Sequence, residues 1–290
     1  MMVSHPPPLN VPELLRAYGL RPDKRLGQNF LVEPSALQDV VAAAGLSPDD
    51  AILEIGPGLG GLTRYLAQAG RQVVAVELDE RLLPALEQVL KPYSNVRVVE
   101  GDILRLDPAE LMRPVLSNAG QDNEGLPGYV VVANIPYYIT SPLVRHLLEA
   151  QVRPRRLTLT MQVEVAERIC AEPGEMSLLA ISVQVYGRPQ IAARIPAGAF
   201  YPIPQVDSAV VRVELYPQPL FPAPVLEQVF RLAKAGFGQK RKMLRNALAG
   251  RLGIPSGEAE ALLLSAGIEP TRRAETLSLE EWGRLAINQI

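Results

Sequence analysis

Short apolar runs alternate with segments of helical periodicity over the first half of the chain. Five of these runs are rich in apolar and β-branched residues, which predicts β-strands over 51–55, 72–76, 96–99, 129–133 and 157–160. A further strand is predicted over 209–215. Apolar strands separated by helices are typical of a parallel sheet that is buried on both faces. The pattern therefore predicts an α/β domain.

A change of composition after the last predicted strand marks a domain boundary. Residues 216–224 contain four prolines in nine positions, which is typical of a stiff connector. Beyond it the periodicity predicts only helices, over 225–235, 240–249, 258–266 and 279–287. We therefore expect a flexible tail (1–11), an α/β domain (12–216), a proline-rich linker (217–224) and a small all-helical domain (225–290).

The scarcity of cysteine and histidine excludes several chemistries. A single cysteine, Cys170, excludes an intramolecular disulfide and any multi-cysteine metal cluster. Two histidines, His5 and His146, are too few for a histidine-based metal centre or a hydrolytic triad, so we expect no metal. The chain has no membrane-length apolar run, and its first ten residues hold three prolines instead of an apolar signal core. We expect a soluble, cytoplasmic monomer without a membrane partner.

Acidic residues and glycines follow successive predicted strands. The segment Glu54–Gly61 contains four glycines after the first strand, where backbone amides can approach a ligand closely. Glu77 ends the second strand, a position from which a carboxylate can bind both ribose hydroxyls of a nucleoside. Asp102 follows the third strand and can accept a hydrogen bond from an adenine amino group. This pattern predicts a nucleoside cofactor in a Rossmann-like domain, either NAD or S-adenosylmethionine (SAM).

The end of the fourth strand distinguishes the two cofactors. An isolated Asn-Ile-Pro-Tyr segment, here Asn134–Tyr137, is ordinarily a proline turn with a buried tyrosine. Beside a nucleoside site it suits methyl transfer to adenine, whose exocyclic amine is a poor nucleophile. The Asn134 side-chain oxygen and a backbone carbonyl can accept the two N–H bonds of that amine, and Tyr137 can stack on a base removed from its helix. Nothing in the chain is suited to position a nicotinamide, so SAM is favoured.

Taken in order, these motifs resemble those of the KsgA-type ribosomal RNA adenine dimethyltransferases. The resemblance extends from about residue 18 to the C-terminus. It is carried by Leu26–Leu31, Glu54–Gly60, Glu77, Gly101-Asp102, Asn134–Tyr137, Phe200–Ser208 and Phe237–Lys242. It implies a Rossmann-like SAM-dependent methyltransferase domain with a small all-helical C-terminal domain. The implied substrate is two adjacent adenosines in the hairpin near the 3′ end of small-subunit rRNA, modified during subunit assembly.

The same resemblance implies a role for particular side chains. The SAM contacts would be Asn29, Leu31, Gly56, Glu77, Asp102 and Asn134. The catalytic adenine pocket would be formed by Asn134, Tyr137 and Phe200. A phenylalanine before a proline-rich loop more often fills a core, but aromatic residues are only 5% of this chain, which favours a functional role for Phe200. The chain departs from the family at Tyr138, where asparagine is usual.

Charge is distributed unevenly along the chain. The net charge of −2 argues against general affinity for polyanions, yet the segment 231–251 contains seven basic residues and no acidic one. A basic run is commonly a solvated helix face. In an acidic chain it also fits a phosphate-binding surface, for which the candidates are Lys240, Arg241, Lys242 and Arg245. The arginines within 153–168 can extend that surface.

Two alternative functions remain compatible with the motifs. A methyltransferase of the macrolide-resistance type modifies large-subunit rRNA with similar motifs, but the long helical C-terminal region favours the small-subunit enzyme. A non-catalytic ribosome assembly factor can retain the fold and the RNA surface. The intact Asn134–Tyr137 segment and the intact glycine loop argue against it, because a binding protein need not keep both.

Overall fold

The computed structural model describes residues 5–116, 128–135, 140–239 and 241–289. Its strands are β1 (Phe30–Leu31), β2 (Ala51–Ile55), β3 (Gln72–Glu77), β4 (Val96–Glu100), β5 (Val130–Asn134), β6 (Arg156–Gln162), β7 (Gly187–Ile195), β8 (Phe200–Tyr201) and β9 (Ser208–Leu215). Its helices are α1 (Val11–Ala17), α2 (Pro34–Ala44), α3 (Thr63–Ala69), α4 (Leu83–Leu90), α5 (Pro108–Leu116), α6 (Thr140–Leu148), α7 (Val163–Ile169), α8 (Leu178–Gln184), α9 (Ala223–Phe237), α10 (Leu244–Leu252), α11 (Ser256–Ser265) and α12 (Leu279–Ile287).

Seven strands form one sheet in the order β4-β3-β2-β5-β6-β9-β7. The five strands from β4 to β6 are parallel, and β9 is antiparallel to β6. From β2 the chain builds the sheet outward on one side through β3 and β4, then returns to the other side of β2 with β5. The carboxyl ends of β2 and β5 therefore flank the point where the strand order reverses, which is where open α/β sheets bind their ligands.

Burial explains why the central strands were predictable. All five residues of β2 are buried, and Val130–Ala133 of β5 are fully inaccessible. One side of the sheet packs against apolar residues of α2 and α3, including Val40 and Leu66. Because both faces of these strands are covered, their sequence is apolar throughout, as the parallel-sheet prediction required.

The edge strand β7 was not predicted. Between its buried end residues it alternates half-buried and exposed positions, and it contains Pro189. A proline removes one backbone donor and is tolerated at a sheet edge, where one side of the strand needs no partner. The apolar signal of this strand is therefore weak.

Residues 5–11 of the N-terminal segment are packed, whereas a flexible tail was predicted over 1–11. Among its described residues, the His5 ring stacks on Tyr65 with the ring centroids 6.0 Å apart. Arg64 Nη1 donates a hydrogen bond of 2.8 Å to the carbonyl of Pro7. Val11 is buried in an apolar cluster that includes Phe30 and Leu59. Apolar burial and a charged donor together hold a segment whose composition suggests a loose tail.

The chain divides into two compact units, Met1–Ala166 with Gln190–Leu215, and Glu167–Pro189 with Tyr216–Ile290. The boundary after residue 215 lies just before the predicted proline-rich linker, which was placed at 217–224. The assignment of Glu167–Pro189 to the second unit differs from the prediction, which placed it in the α/β domain. The reason is local, because the N–H groups of Gly174 and Met176 donate to the carbonyl of Glu275, at 2.9 and 3.1 Å.

The second unit is built around a buried aromatic residue. Trp282 of α12 is fully buried and lies 6.0 Å from the Phe237 ring of α9, centroid to centroid. Ser278 and Glu281 form a reciprocal capping box at the start of α12. Arg272 donates to both carboxylate oxygens of Glu281, at 2.5 and 3.0 Å. No helix among the described residues is long and apolar enough to cross a membrane.

Candidate cofactor-binding site

The glycine loop after β2 has a conformation that other residues adopt only with strain. Gly56 and Gly58 have φ angles of +71° and +59°. A Cβ atom at Gly58 would lie 2.9 Å from the Phe30 ring. The Gly56 N–H donates to the Val76 carbonyl at 2.9 Å, which fastens the loop to the end of β3. Glycine is therefore required here by both backbone angle and space.

Glu77, at the end of β3, is fixed by two backbone donors. Its Oε2 accepts from the Gly58 N–H at 2.9 Å, and its Oε1 accepts from the Asp79 N–H at 2.8 Å. The side chain is buried, and burial raises the pKa of this carboxyl while the two hydrogen bonds oppose the rise. Each oxygen keeps a lone pair for a further donor, such as a ligand hydroxyl.

Asp102 follows β4 and lies at the more open side of the site. Its Oδ1 accepts from the Leu104 N–H at 3.0 Å, and its Oδ2 is 3.5 Å from Arg105 Nε. The preceding residue is tied to the site, since the Gly101 N–H donates to the Glu77 carbonyl at 2.8 Å. The carboxylate is thus oriented by its own loop and still reaches solvent.

Asn134, the last residue of β5, is held by the segment before β1. Its Nδ2 donates to the backbone carbonyl of Asn29 at 3.0 Å, and Asn29 Nδ2 donates to the Gly27 carbonyl at 3.1 Å. A side-chain amide whose nitrogen donates to a carbonyl has its oxygen free to accept from another group. Both asparagines were predicted to contact SAM, but no sequence pattern indicates that one orients the other.

These side chains line a single cavity of about 250 Å³ in the first unit. Every residue predicted to bind the cofactor is on its wall: Asn29, Leu31, Gly56, Glu77, Asp102 and Asn134. The structure thus brings together three strand ends, the glycine loop and the segment before β1. Glu77 and Asp102 supply acceptors, and the glycine loop supplies close backbone approach, which together fit the hydroxyls and amino group of a nucleoside.

The predicted adenine contacts have different outcomes. Tyr137 lies outside the described residues. Phe200 is 2% exposed and packs in the apolar core of the first unit instead of lining the cavity. It pairs across the β1–β8 ladder with Leu31, which does line the cavity. The structure therefore gives Phe200 a core contact next to the site, and its stacking on adenine stays a prediction.

Glu54 is a site residue for which no role was predicted from the sequence. It lies on the cavity wall, is 1% exposed, and its Oε2 has no hydrogen-bond partner among the described residues. Burial raises the pKa of its carboxyl to about 8, the negative charge of Glu77 adds to the rise, and Thr63 opposes it. An acid inside an otherwise apolar strand was the available sequence signal.

We expect Glu54→Gln to change how stability depends on pH. Folded Glu54 keeps its proton up to a pKa of about 8, whereas in the unfolded chain it ionises near its ordinary value of 4.5. Between these values unfolding releases a proton, so the Glu54 contribution to stability falls as pH rises, by at most about 1.4 kcal/mol per pH unit. Denaturant titrations from pH 5 to pH 8 should show the variant gaining stability relative to the parent.

The exposed pair Glu110–Arg113 provides the control for that experiment. Glu110 has 60% of its side chain exposed, so Glu110→Gln removes a solvated carboxylate and should change stability by no more than about 1 kcal/mol. Parallel curves for Glu54→Gln and the parent protein would contradict the proposed protonation of buried Glu54.

The basic residues predicted to bind RNA are partly neutralised. Arg241 and Lys242 are exposed, but Arg245 Nη1 lies 2.8 Å from Glu260 Oε2, and Lys240 is outside the described residues. The segment 231–251 itself contains seven cations and no acid, and Glu260 was not considered because it lies on the following helix. Ion pairs also neutralise two of the arginines within 153–168 that were predicted to extend this RNA-binding surface. Arg155 pairs with Asp50 and Arg156 pairs with Glu214, at 2.5 and 2.7 Å.

A Rossmann-like sheet with a glycine loop and polar strand ends on one cavity defines the first unit as a SAM-dependent methyltransferase domain. Residues 20–289 match the family described as ribosomal RNA adenine dimethylase. The chain therefore belongs to the ribosomal RNA adenine dimethylase family, which confirms the resemblance seen in its motifs.

Curated relatives agree with this assignment over nearly the whole chain. The ribosomal RNA small subunit methyltransferase A of Dehalococcoides mccartyi is 46% identical over 276 residues, which cover 95% of this chain and 91% of the relative. The protein of the same name from Lysinibacillus sphaericus is 40% identical over 288 residues, with coverage of 96% and 94%.

Solved structures show the same fold. The 23S rRNA methyltransferase ErmE has a TM-score of 0.69 at 29% identity, and the match covers 90% of this chain and 99% of that chain. A dimethyladenosine transferase from Plasmodium falciparum has a TM-score of 0.72 at 24% identity, with coverage of 88% and 95%. The likeness to the second structure concerns the fold alone.

Proposed function

We propose that the protein dimethylates the N6 atoms of two adjacent adenosines in the 3′-terminal hairpin of small-subunit rRNA, with SAM as methyl donor. The observation that carries the proposal is that Asn134 lies on the same cavity as Glu77, Asp102 and the glycine loop. The chain acts as a monomer on the assembling small subunit in the cytoplasm.

The cavity residues fit the functional groups of SAM. Glu77 accepts from the ribose hydroxyls with the lone pairs that Gly58 and Asp79 leave free, and Asp102 accepts from the adenine amino group. The left-handed Gly56 and Gly58 keep the loop free of Cβ atoms next to the ligand. Bound SAM supplies an electrophilic sulfonium methyl group.

Asn134 prepares the nitrogen that accepts the methyl group. Because its Nδ2 donates to the Asn29 carbonyl, its Oδ1 is the atom left to accept an N–H of the target adenine. Accepting that bond draws the nitrogen lone pair out of conjugation with the ring. A group that holds the nitrogen in tetrahedral geometry stabilises the transition state more than the ground state. Tyr137, three residues further along the chain, is proposed to stack on the adenine.

The large-subunit activity is the second candidate, since ErmE shares the fold. Single-turnover labelling with radioactive SAM distinguishes the candidates, using naked small-subunit rRNA, assembling small subunits and naked large-subunit rRNA. We expect label in the small-subunit substrates, as dimethyladenosine. Label only in large-subunit rRNA would support the macrolide-resistance type. Binding without any label would support the non-catalytic assembly factor.

The basic residues within 240–245 of the second unit are proposed to contact RNA phosphates. Replacing Lys240, Arg241, Lys242 and Arg245 together with glutamine should weaken RNA binding and flatten the plot of log affinity against log salt. Each lost contact should lower the slope by about 0.7–0.9 units. Binding titrations at several salt concentrations give the slope, and SAM affinity should not change.

A variant with the opposite expected effect serves as control. Glu260→Gln removes the acid paired with Arg245 and leaves that cation free to contact a phosphate. The plot of log affinity against log salt should then steepen by up to about 0.7–0.9 units, the change expected for one contact. If the quadruple variant keeps the parent slope, the basic segment is a solvated face and RNA recognition lies elsewhere.

A further inference from the structure

Asp79 connects two walls of the cofactor cavity and was not singled out by any motif. Its Oδ2 accepts from Gln28 Nε2 and from Arg81 Nη2, both at 2.7 Å. Its Oδ1 accepts from Arg81 Nε at 2.7 Å. Its backbone N–H is one of the two donors that hold the Glu77 carboxylate. One residue thus contacts both the segment before β1 and the proposed ribose ligand.

Gln28 is the other half of this connection. Its Oε1 accepts from the Asp23 N–H at 2.8 Å while its Nε2 donates to Asp79, so both ends of the amide are used. Gln28 lies on the cavity wall directly before Asn29, whose carbonyl holds Asn134. A displacement of Gln28 would therefore be transmitted to Asn29.

The partners of Asp79 keep its carboxyl group ionised. Arg81 holds the pKa of the Asp79 carboxyl below its ordinary value, and the hydrogen bond from Gln28 acts in the same direction. Asp79 is 6% exposed, so its ionised carboxylate needs the partners it has. Arg81 also reaches Asp23 Oδ2 at 3.3 Å, which adds a second tie to the same segment.

We propose that Asp79 is a positioning residue for the SAM site. Its carboxylate fastens residues 23–31 to the end of β3, and its N–H aims Glu77 at the ribose hydroxyls. The inference rests on the proposed function in taking SAM as the ligand. Asp79 itself does not line the cavity, so its effect is exerted through Gln28 and Glu77.

Calorimetric titration with SAM and with S-adenosylhomocysteine tests this role without measuring activity. We expect Asp79→Ala to weaken binding of both by about tenfold, the loss of roughly one charged hydrogen bond. Gln28→Ala should weaken binding less, and the double variant should be no weaker than Asp79→Ala, because the two residues act through one contact. Asp79→Asn, which keeps an acceptor, should lie between the parent and Asp79→Ala.

Asp50 provides a matched control. It is a carboxylate of the same unit with 12% of its side chain exposed, paired with Arg155, and it also accepts from the Ser47 N–H. Asp50→Ala should lower the melting temperature without weakening SAM binding. Hydrogen exchange of residues 24–31 should accelerate in Asp79→Ala and in Gln28→Ala, and stay unchanged in Asp50→Ala.

The outcomes separate this inference from the proposed function. Parent protein that binds SAM, together with folded Asp79→Ala that binds it equally well, overturns the positioning role alone. The positioning role is also overturned if the losses of SAM affinity in Asp79→Ala and Gln28→Ala multiply in the double variant, because the two residues would then act independently. Parent protein that binds neither SAM nor S-adenosylhomocysteine overturns the proposed function instead.

Discussion

Asn134→Ala should lower the single-turnover rate of methyl transfer by roughly 10²–10³-fold, the usual effect of removing one transition-state hydrogen bond. RNA affinity should change far less, because the lost acceptor matters most as the adenine nitrogen becomes tetrahedral. The rate is measured with saturating SAM and rRNA, and RNA affinity is measured separately by filter binding.

Asn134→Asp refines this prediction. The aspartate keeps an acceptor of the same size but cannot donate to the Asn29 carbonyl, which accepts the Nδ2 bond in the parent. We expect a rate well below that of the parent despite the retained oxygen. A parent-like rate in both variants would show that Asn134 has no part in the reaction.

Glu77→Ala should lower SAM affinity by tenfold or more while the fold survives. Hydrogen bonds to a charged group contribute about 1.5–3 kcal/mol each, and Glu77 would lose two to the ribose. The effect also includes the loop, because Gly58 and Asp79 lose the acceptor of their N–H groups. Calorimetric titration measures the affinity, and circular dichroism confirms that the variant is folded.

Glu77→Gln serves as the companion variant, since it keeps the shape and one acceptor oxygen. We expect an intermediate affinity, because an amide NH2 group facing a backbone N–H cannot replace the second carboxylate oxygen. Parent-like affinity in folded Glu77→Ala would remove Glu77 from the SAM site.

The sequence predicted the cavity because its chemistry is local to strand ends. The apolar runs of β2, β3 and β5 place Gly56, Glu77 and Asn134 at one edge of a parallel sheet, whatever the details of packing. The contacts between distant segments could not be predicted from the sequence. Asn29 with Asn134, and Gln28 with Asp79, are separated by 105 and 51 residues, and no local pattern encodes such pairs.

The ion pair between Arg245 and Glu260 was not predicted, for a related reason. A count of charges along one segment records the cations near Arg245 but not Glu260, which folding brings to it from the following helix. The N-terminal segment was mispredicted for the same reason. Its three adjacent prolines suggest disorder, but Arg64 of α3, which is distant in sequence, donates a hydrogen bond to the Pro7 carbonyl.

The short β1–β8 ladder has a consequence for the order in which the protein matures during synthesis. It pairs Phe30 with Tyr201 and Leu31 with Phe200, and Leu31 lies on the cavity wall. A nascent chain that ends before residue 200 already contains every residue that lines the cavity. It lacks β8, the strand that pairs with β1 and holds Leu31 in place. Long-range pairing of this kind forms late because its closure entropy must be overcome first. Affinity for the methyl donor should thus develop only when the first unit is almost completely translated.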